Sequence, residues 1–295
     1  MINTVKFILS YEGKDADNHQ IDLYDVSQAL IGFQRSIALT THLVINGEII
    51  TQAPALKGAQ ILASPAEDGS WQIVAAVLAS GLYTLGTAPQ DTPVGHIVYS
   101  LYDYVLKANL GVHVDYDKSI GQLIEDHKKL KGEQINLEPH KVDALIEKCS
   151  TAITEIHRPI FKTQTASSAN IIADIQSQRI PIGIPFTLDT YEYIHESITD
   201  VETTVINGRI SSYNSNTFKG RIYVTQEGRP ITFELSDSCR SNYLVSLVTA
   251  SLAANALKDY TSEWITVYCR VYRNTTRTGL LKSYKIIEVS HTDLS

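Results

Sequence analysis

Few stretches of this 295-residue chain hold residues that could do chemistry. The densest is "SPAEDGSW", Ser64 to Trp71, where Glu67, Asp68 and Ser70 crowd one short segment. A nucleophilic serine needs a base held beside it, oriented in turn by a third group. The sequence names no histidine for that role. Pro65 and Asp68-Gly69 are instead what a tight turn asks for, since proline presets φ and Asp-Gly accepts positive φ. The stretch is therefore read as the tip of a β-hairpin. In "HVDYD", His113, Asp115 and Asp117 alternate. On a strand they would share a face and could hold a metal; the competing reading is a loop whose Asp117 caps the next helix. Glu192 and Glu196 stand four apart, as a carboxylate pair on one helix face would, but nothing places them in a pocket, so solvated surface is the reading. The other histidines show no ligand spacing. Cys149, Cys239 and Cys269 lie far apart without a C-x-x-C, which argues against a disulfide framework, a zinc site or a redox site and favours a reducing, cytoplasmic setting. Phosphate-loop, dinucleotide, H-E-x-x-H, EF-hand and G-x-S-x-G patterns are absent. Catalysis and a bound cofactor or metal are accordingly not expected.

Two other sets of residues suit binding. The chain has 16 tyrosines against one methionine. Tyr99, Tyr102 and Tyr104 cluster on one predicted helix, and Tyr268 and Tyr272 recur on one face of a predicted strand. Tyrosine is favoured at protein interfaces because its ring supplies area and its hydroxyl a bond; ordinary half-buried tyrosine is the competing reading. The second set is Tyr213, Lys219, Arg221, Tyr223, Arg273 and Arg277, with Phe218 and Phe233 nearby. Aromatic rings stack on any base while cations neutralise phosphates, so these residues could contact nucleic acid. The competing reading has the aromatics filling a barrel and the cations keeping it soluble.

The elements that must position these residues are legible in outline. "TVKFILSY" alternates as a strand does. The run after Asp22 has helical spacing to Asn46, with Asp22 placed to cap it and Asn46 or Gly47 to end it. "LKGAQILAS" and "SWQIVAAVLA" read as the strands of the hairpin. "HIVYSLYDYVLKANLG", "DKSIGQLIEDHKKLKG" and "EPHKVDALIEKCSTAITEIHRP" read as helices. Residues 166–196 contain Pro181 and Pro185 and read as a connection between domains. Beyond residue 197 the order is strand, strand, strand, helix, strand, strand, the order of an OB-like five-stranded barrel. The expected fold is α+β: an N-terminal α/β domain over 1–165, the connection over 166–196, and the OB-like barrel over 197–295.

Composition agrees with a soluble globular protein. Hydrophobic residues make up 43% and charged residues 19%, and no run resembles a signal peptide or a membrane span. The net charge of −7 is uneven: residues 201–295 hold 11 Lys+Arg against 8 Asp+Glu, while the first 200 residues are strongly acidic. An acidic neighbour would oppose a polyanion near the barrel.

The stretch "IDLYDVSQALIGFQRSIALTTHLVINGE" followed by "PAEDGSW" resembles a largely uncharacterised family of bacterial and prophage-associated proteins, over about the first 80 residues. In size, two-part layout and small C-terminal β domain, the whole chain also resembles the phage-encoded Gabija anti-defence inhibitors. That resemblance implies a non-catalytic oligomer that surrounds a bacterial protein complex in the host cytoplasm and blocks its access to DNA. It carries no functional residue onto a position here. The expected function is thus a protein-binding, anti-defence role without catalysis, and the alternative is a nucleic-acid-binding component that uses the barrel.

Overall fold

The structure is a computed structural model that describes residues 4–50, 52, 55–64, 71–79, 93–112, 120–121, 137–175, 178–195, 197–275 and 281–294. "HVDYD", Glu196, Arg277 and the hairpin tip at 65–70 lie outside the described residues. The chain forms two compact units, Met1–Ile194 and His195–Ser295. Among the described residues, six α-helices accompany two sheets.

The first unit is built on five strands: β1 (Thr4–Glu12), β2 (Ala59–Ser64), β3 (Trp71–Ala79), β4 (Ser168–Ile175) and β5 (Gln178–Phe186), in the spatial order β2-β3-β1-β4-β5. Every ladder is antiparallel, so the α/β expectation for this unit is corrected to α+β; no parallel crossover joins the described strands. The pairing of β2 with β3, from Ala59↔Ala79 to Ser64↔Val74, is that of a hairpin around the expected tip. The expected connection over 166–196 is also corrected. Those residues supply β4, β5 and α5 (Leu188–His195), and the unit runs on to Ile194. Pro181 lies within β5, where it is tolerated because β5 is the edge of the sheet and its outer side forms no ladder with the described residues.

One face of the sheet meets the helices α1 (Leu23–Asn46), α2 (Pro93–Asn109) and α3 (Pro139–Ile156). Strand period two sends Phe7, Leu9 and Tyr11 of β1 into the core that also holds Phe33 and Ile37 of α1, Leu101 of α2 and Ile153 of α3. Asp22 accepts from the Asp25 backbone N–H at 2.9 Å and caps α1, while Gly47 ends it at φ 65°, both as expected. Gly32 lets α1 and α3 approach so closely that a Cβ there would collide with the Ala152 carbonyl. A short helix, α4 (Arg158–Phe161), follows α3. Arg158 donates from Nε to the buried Asp25 at 3.0 Å and from Nη1 to Glu155 at 3.3 Å, tying it to α1.

The second unit is a ring of five strands: β6 (Ile198–Asn214), β7 (Lys219–Val224), β8 (Arg229–Leu235), β9 (Val267–Thr275) and β10 (Leu281–Ser290). They close in the order β10-β8-β7-β6-β9, with β8 and β10 parallel and the other pairs antiparallel. Closure depends on β6, which pairs with β9 up to Gly208↔Val267 and with β7 from Gly208↔Val224 onward. A side chain at this changeover would strike the Tyr223 carbonyl, so glycine is required. Past the end of the β9 ladder, α6 (Asn242–Ala256) takes over. Ser251 Oγ accepts from Ile210 N–H at 3.0 Å and donates to the Ile265 carbonyl, and Asn255 donates to the Ile210 carbonyl at 3.2 Å. The helix thus satisfies backbone groups that the ladder leaves open. No described helix is long and apolar enough to cross a membrane.

Candidate interaction surface

The predicted tyrosine cluster on α2 is not a surface. Tyr102 is 0% exposed and Tyr104 2% exposed. The reason is that α2 packs against α1, α3 and β5, leaving little of its circumference to solvent. Tyr102 shares a hydrogen bond of 2.8 Å with Ser36 Oγ and meets the Phe7 ring edge-on at 5.2 Å, and burial raises its phenol pKa. Tyr99 is half-buried against the same core. Tyr268 and Tyr272 do share the outward face of β9, half-buried, alternating with the interior Val267, Cys269 and Val271. Arg270 stands between them and donates to Glu288 at 3.0 Å.

The second predicted set divides. Lys219, Arg221 and Tyr223 are the alternate, outward residues of β7, between the interior Ile222 and Val224. Tyr213 is partly buried, its ring stacked over the interior Phe233 at 6.4 Å. Phe218 lies under the Arg240 guanidinium at 4.7 Å, and Arg240 is held by Asp237 at 2.6 Å and Glu234 at 3.6 Å. Arg273 sits on β9 opposite Tyr284 of β10, away from the β7 set. Burial and the nearby Glu227 push the Tyr284 phenol up to about 12. Two residues absent from the sequence reading join Tyr223: Arg209 of β6, opposite it in the ladder, and Tyr260 of the loop after α6. The Arg209 guanidinium lies 4.1 Å from the Tyr223 ring centroid and 5.8 Å from that of Tyr260. Their union depends on register and on a loop path, which no local pattern encodes.

A further surface was missed although its sequence signal is plain. From Asn242 to Leu257 the chain has no charged residue. A helix without a charged face is ordinarily buried. Here only one side packs into the ring, through Leu247, Val248, Ser251 and Ala254. The other side presents Tyr243 at 71% and Leu257 at 79% exposure, with Ser246, Thr249 and Ala253 between them. Tyr260 (62%) and Trp264 (49%) continue it along the following loop. Trp264 is fixed edge-on against His291 at 4.8 Å, and His291 Nδ1 bonds the Thr266 carbonyl at 3.0 Å.

The groups best suited to covalent chemistry are placed as structure. The three cysteines are buried and unpaired. Burial pushes the Cys149 thiol up to about 12 and raises those of Cys239 and Cys269, so none is a ready nucleophile near neutral pH. His157 is buried, with Nδ1 3.1 Å from the Ile153 carbonyl and Nε2 3.0 Å from Thr190 Oγ1. Glu192 lies on α5. Among the described residues no group of three His, Cys, Asp or Glu is placed to hold a metal.

A family model described as "Domain of unknown function (DUF7946)" matches residues 7–195, and one described as "Family of unknown function (DUF7947)" matches residues 202–290. The two matches meet where the structure divides into its two units. No curated protein matches the chain.

Proposed function

We propose that this chain, which belongs to the family described as "Domain of unknown function (DUF7946)", is a non-catalytic protein-binding protein. It acts as an oligomer on a bacterial protein complex, in the manner of a phage-encoded inhibitor of an anti-phage defence system. The observation that carries the binding reading is the uncharged outer side of α6, followed by exposed Tyr260 and Trp264 in a loop that also carries Lys258, Asp259 and Glu263. Tyr243, Leu257 and Trp264 there expose large apolar area within 22 residues. Exposed apolar and aromatic side chains close together in the chain are what a partner would cover, since tyrosine and tryptophan are enriched at interface cores. The anti-defence setting rests on the resemblance in size and layout. The C-terminal ring is of the OB class on this reading, supported by its strand order, by the parallel β8–β10 pair and by the helix between β8 and β9.

The experiment is a tagged capture from nuclease-treated bacterial lysate, run with the native chain and with a Tyr243→Ala, Leu257→Ala, Trp264→Ala variant. The native chain is expected to retain a stoichiometric protein partner that the variant loses, while the variant keeps its circular dichroism and melting profile. Retention of the same partner by a folded variant would remove this surface from the account.

A further inference from the structure

The Arg209–Tyr223–Tyr260 stack and the β7 strip beside it have a chemistry unlike the uncharged surface of α6. Arg209 is held by rings rather than by a carboxylate; no ion pair or hydrogen bond of its guanidinium occurs among the described residues. A planar guanidinium fixed in this way keeps donors available to an anion. Tyr260 is mostly exposed, so its ring also offers a face to a flat group. Along β7, Lys219 and Arg221 continue the line of outward cations from Tyr223. Alternate residues of a strand lie about 7 Å apart, so the line is extended rather than a point. Its acidic neighbour, Glu234, pairs across the ladder from Lys219 and lies 3.6 Å from Arg240.

From these observations we infer that the outer face of β6 and β7 is a binding site for a single strand of nucleic acid. Phosphates would lie along Arg209, Arg221 and Lys219, and an unpaired base would stack on Tyr260. A duplex keeps its bases stacked on one another, whereas a single strand can give a base to an aromatic face. This site shares Tyr260 with the loop that continues the protein-binding surface around Tyr243, Leu257 and Trp264, while its cations, Arg209, Arg221 and Lys219, belong to β6 and β7.

The test uses the full chain and a fluorescein-labelled oligothymidine of about 16 nucleotides, the upper range for one small barrel. Fluorescence anisotropy reads the affinity between about 50 mM and about 200 mM salt. Three phosphate contacts on a single strand give a log–log salt slope near −2, which is about twentyfold weaker binding over that range. Arg209→Ala is expected to weaken binding and flatten the slope by about 0.7. Tyr260→Leu, a loop substitution that leaves every charge in place, is expected to weaken binding by about fivefold or more at unchanged slope. No saturable binding at about 100 µM, the weak limit of ordinary non-specific association, would overturn the inference. So would unchanged binding by Arg209→Ala. Preference for a poly-glutamate peptide, insensitive to Tyr260→Leu, would assign the strip to acidic protein instead and overturn it equally.

Discussion

Arg158 shows how one side chain can fasten a helix bundle. Asp25 lies in α1 with its carboxylate only 3% exposed, and Arg158, which opens α4 just after α3, supplies its ionic partner at 3.0 Å. Removing the guanidinium leaves a buried carboxylate unpaired, which is far costlier than loss of a surface pair. Arg158→Ala is expected to destabilise the first unit by about 3 kcal/mol, read as a lowered denaturant midpoint; Arg158→Lys should recover only part of that, because lysine lacks the planar fork. A loss below about 0.5 kcal/mol, the ordinary size for a surface substitution, would show that the pair is solvated. Residue identity alone does not reveal this role, and the same limit explains the tyrosines. Tyr102 and Tyr104 have the composition of an interface, yet their exposure is decided by α1, α3 and β5 packing around their helix. Local spacing fixes which residues share a helix face. It does not fix how many faces are covered.

At the scale of elements, signals that act locally were the legible ones. Asp22 and Gly47 mark the ends of α1 because capping and a left-handed terminus depend on neighbouring backbone. The alternation of β7, β8 and β9 was readable for the same reason, and it placed Tyr268 and Tyr272 on one face. β4 and β5 are hidden because the prolines of β5 and the Ser/Thr/Ala-rich run that leads into β4 suggest a connection, and only sheet order shows that β5 is an edge. The contact of α6 with β6 is equally non-local. Ser251 meets Ile210 from 41 residues away, at a point where β6 has left its β9 ladder. Ser251→Ala should leave the buried Ile210 N–H without its acceptor and cost about 2 kcal/mol, seen as an earlier thermal transition of the C-terminal unit; an unchanged transition would mean that this hydrogen bond adds nothing to the hold of α6 on β6.

For the whole molecule, the division of labour follows composition. The N-terminal unit concentrates acidic charge, three packed helices and a five-stranded sheet, and its candidate chemical groups are either structural or outside the described residues. The C-terminal unit has a slightly basic balance, an uncharged helix side and an outward strip of cations and rings. On the function proposed above, the outer side of α6, with its following loop, is the surface a protein partner covers. Hydrogen–deuterium exchange on the chain alone and in its captured complex tests this most directly. Complex formation is expected to slow exchange in peptides spanning residues 243–264. Slowed exchange confined to other peptides, with 243–264 exchanging as in the free chain, would contradict it.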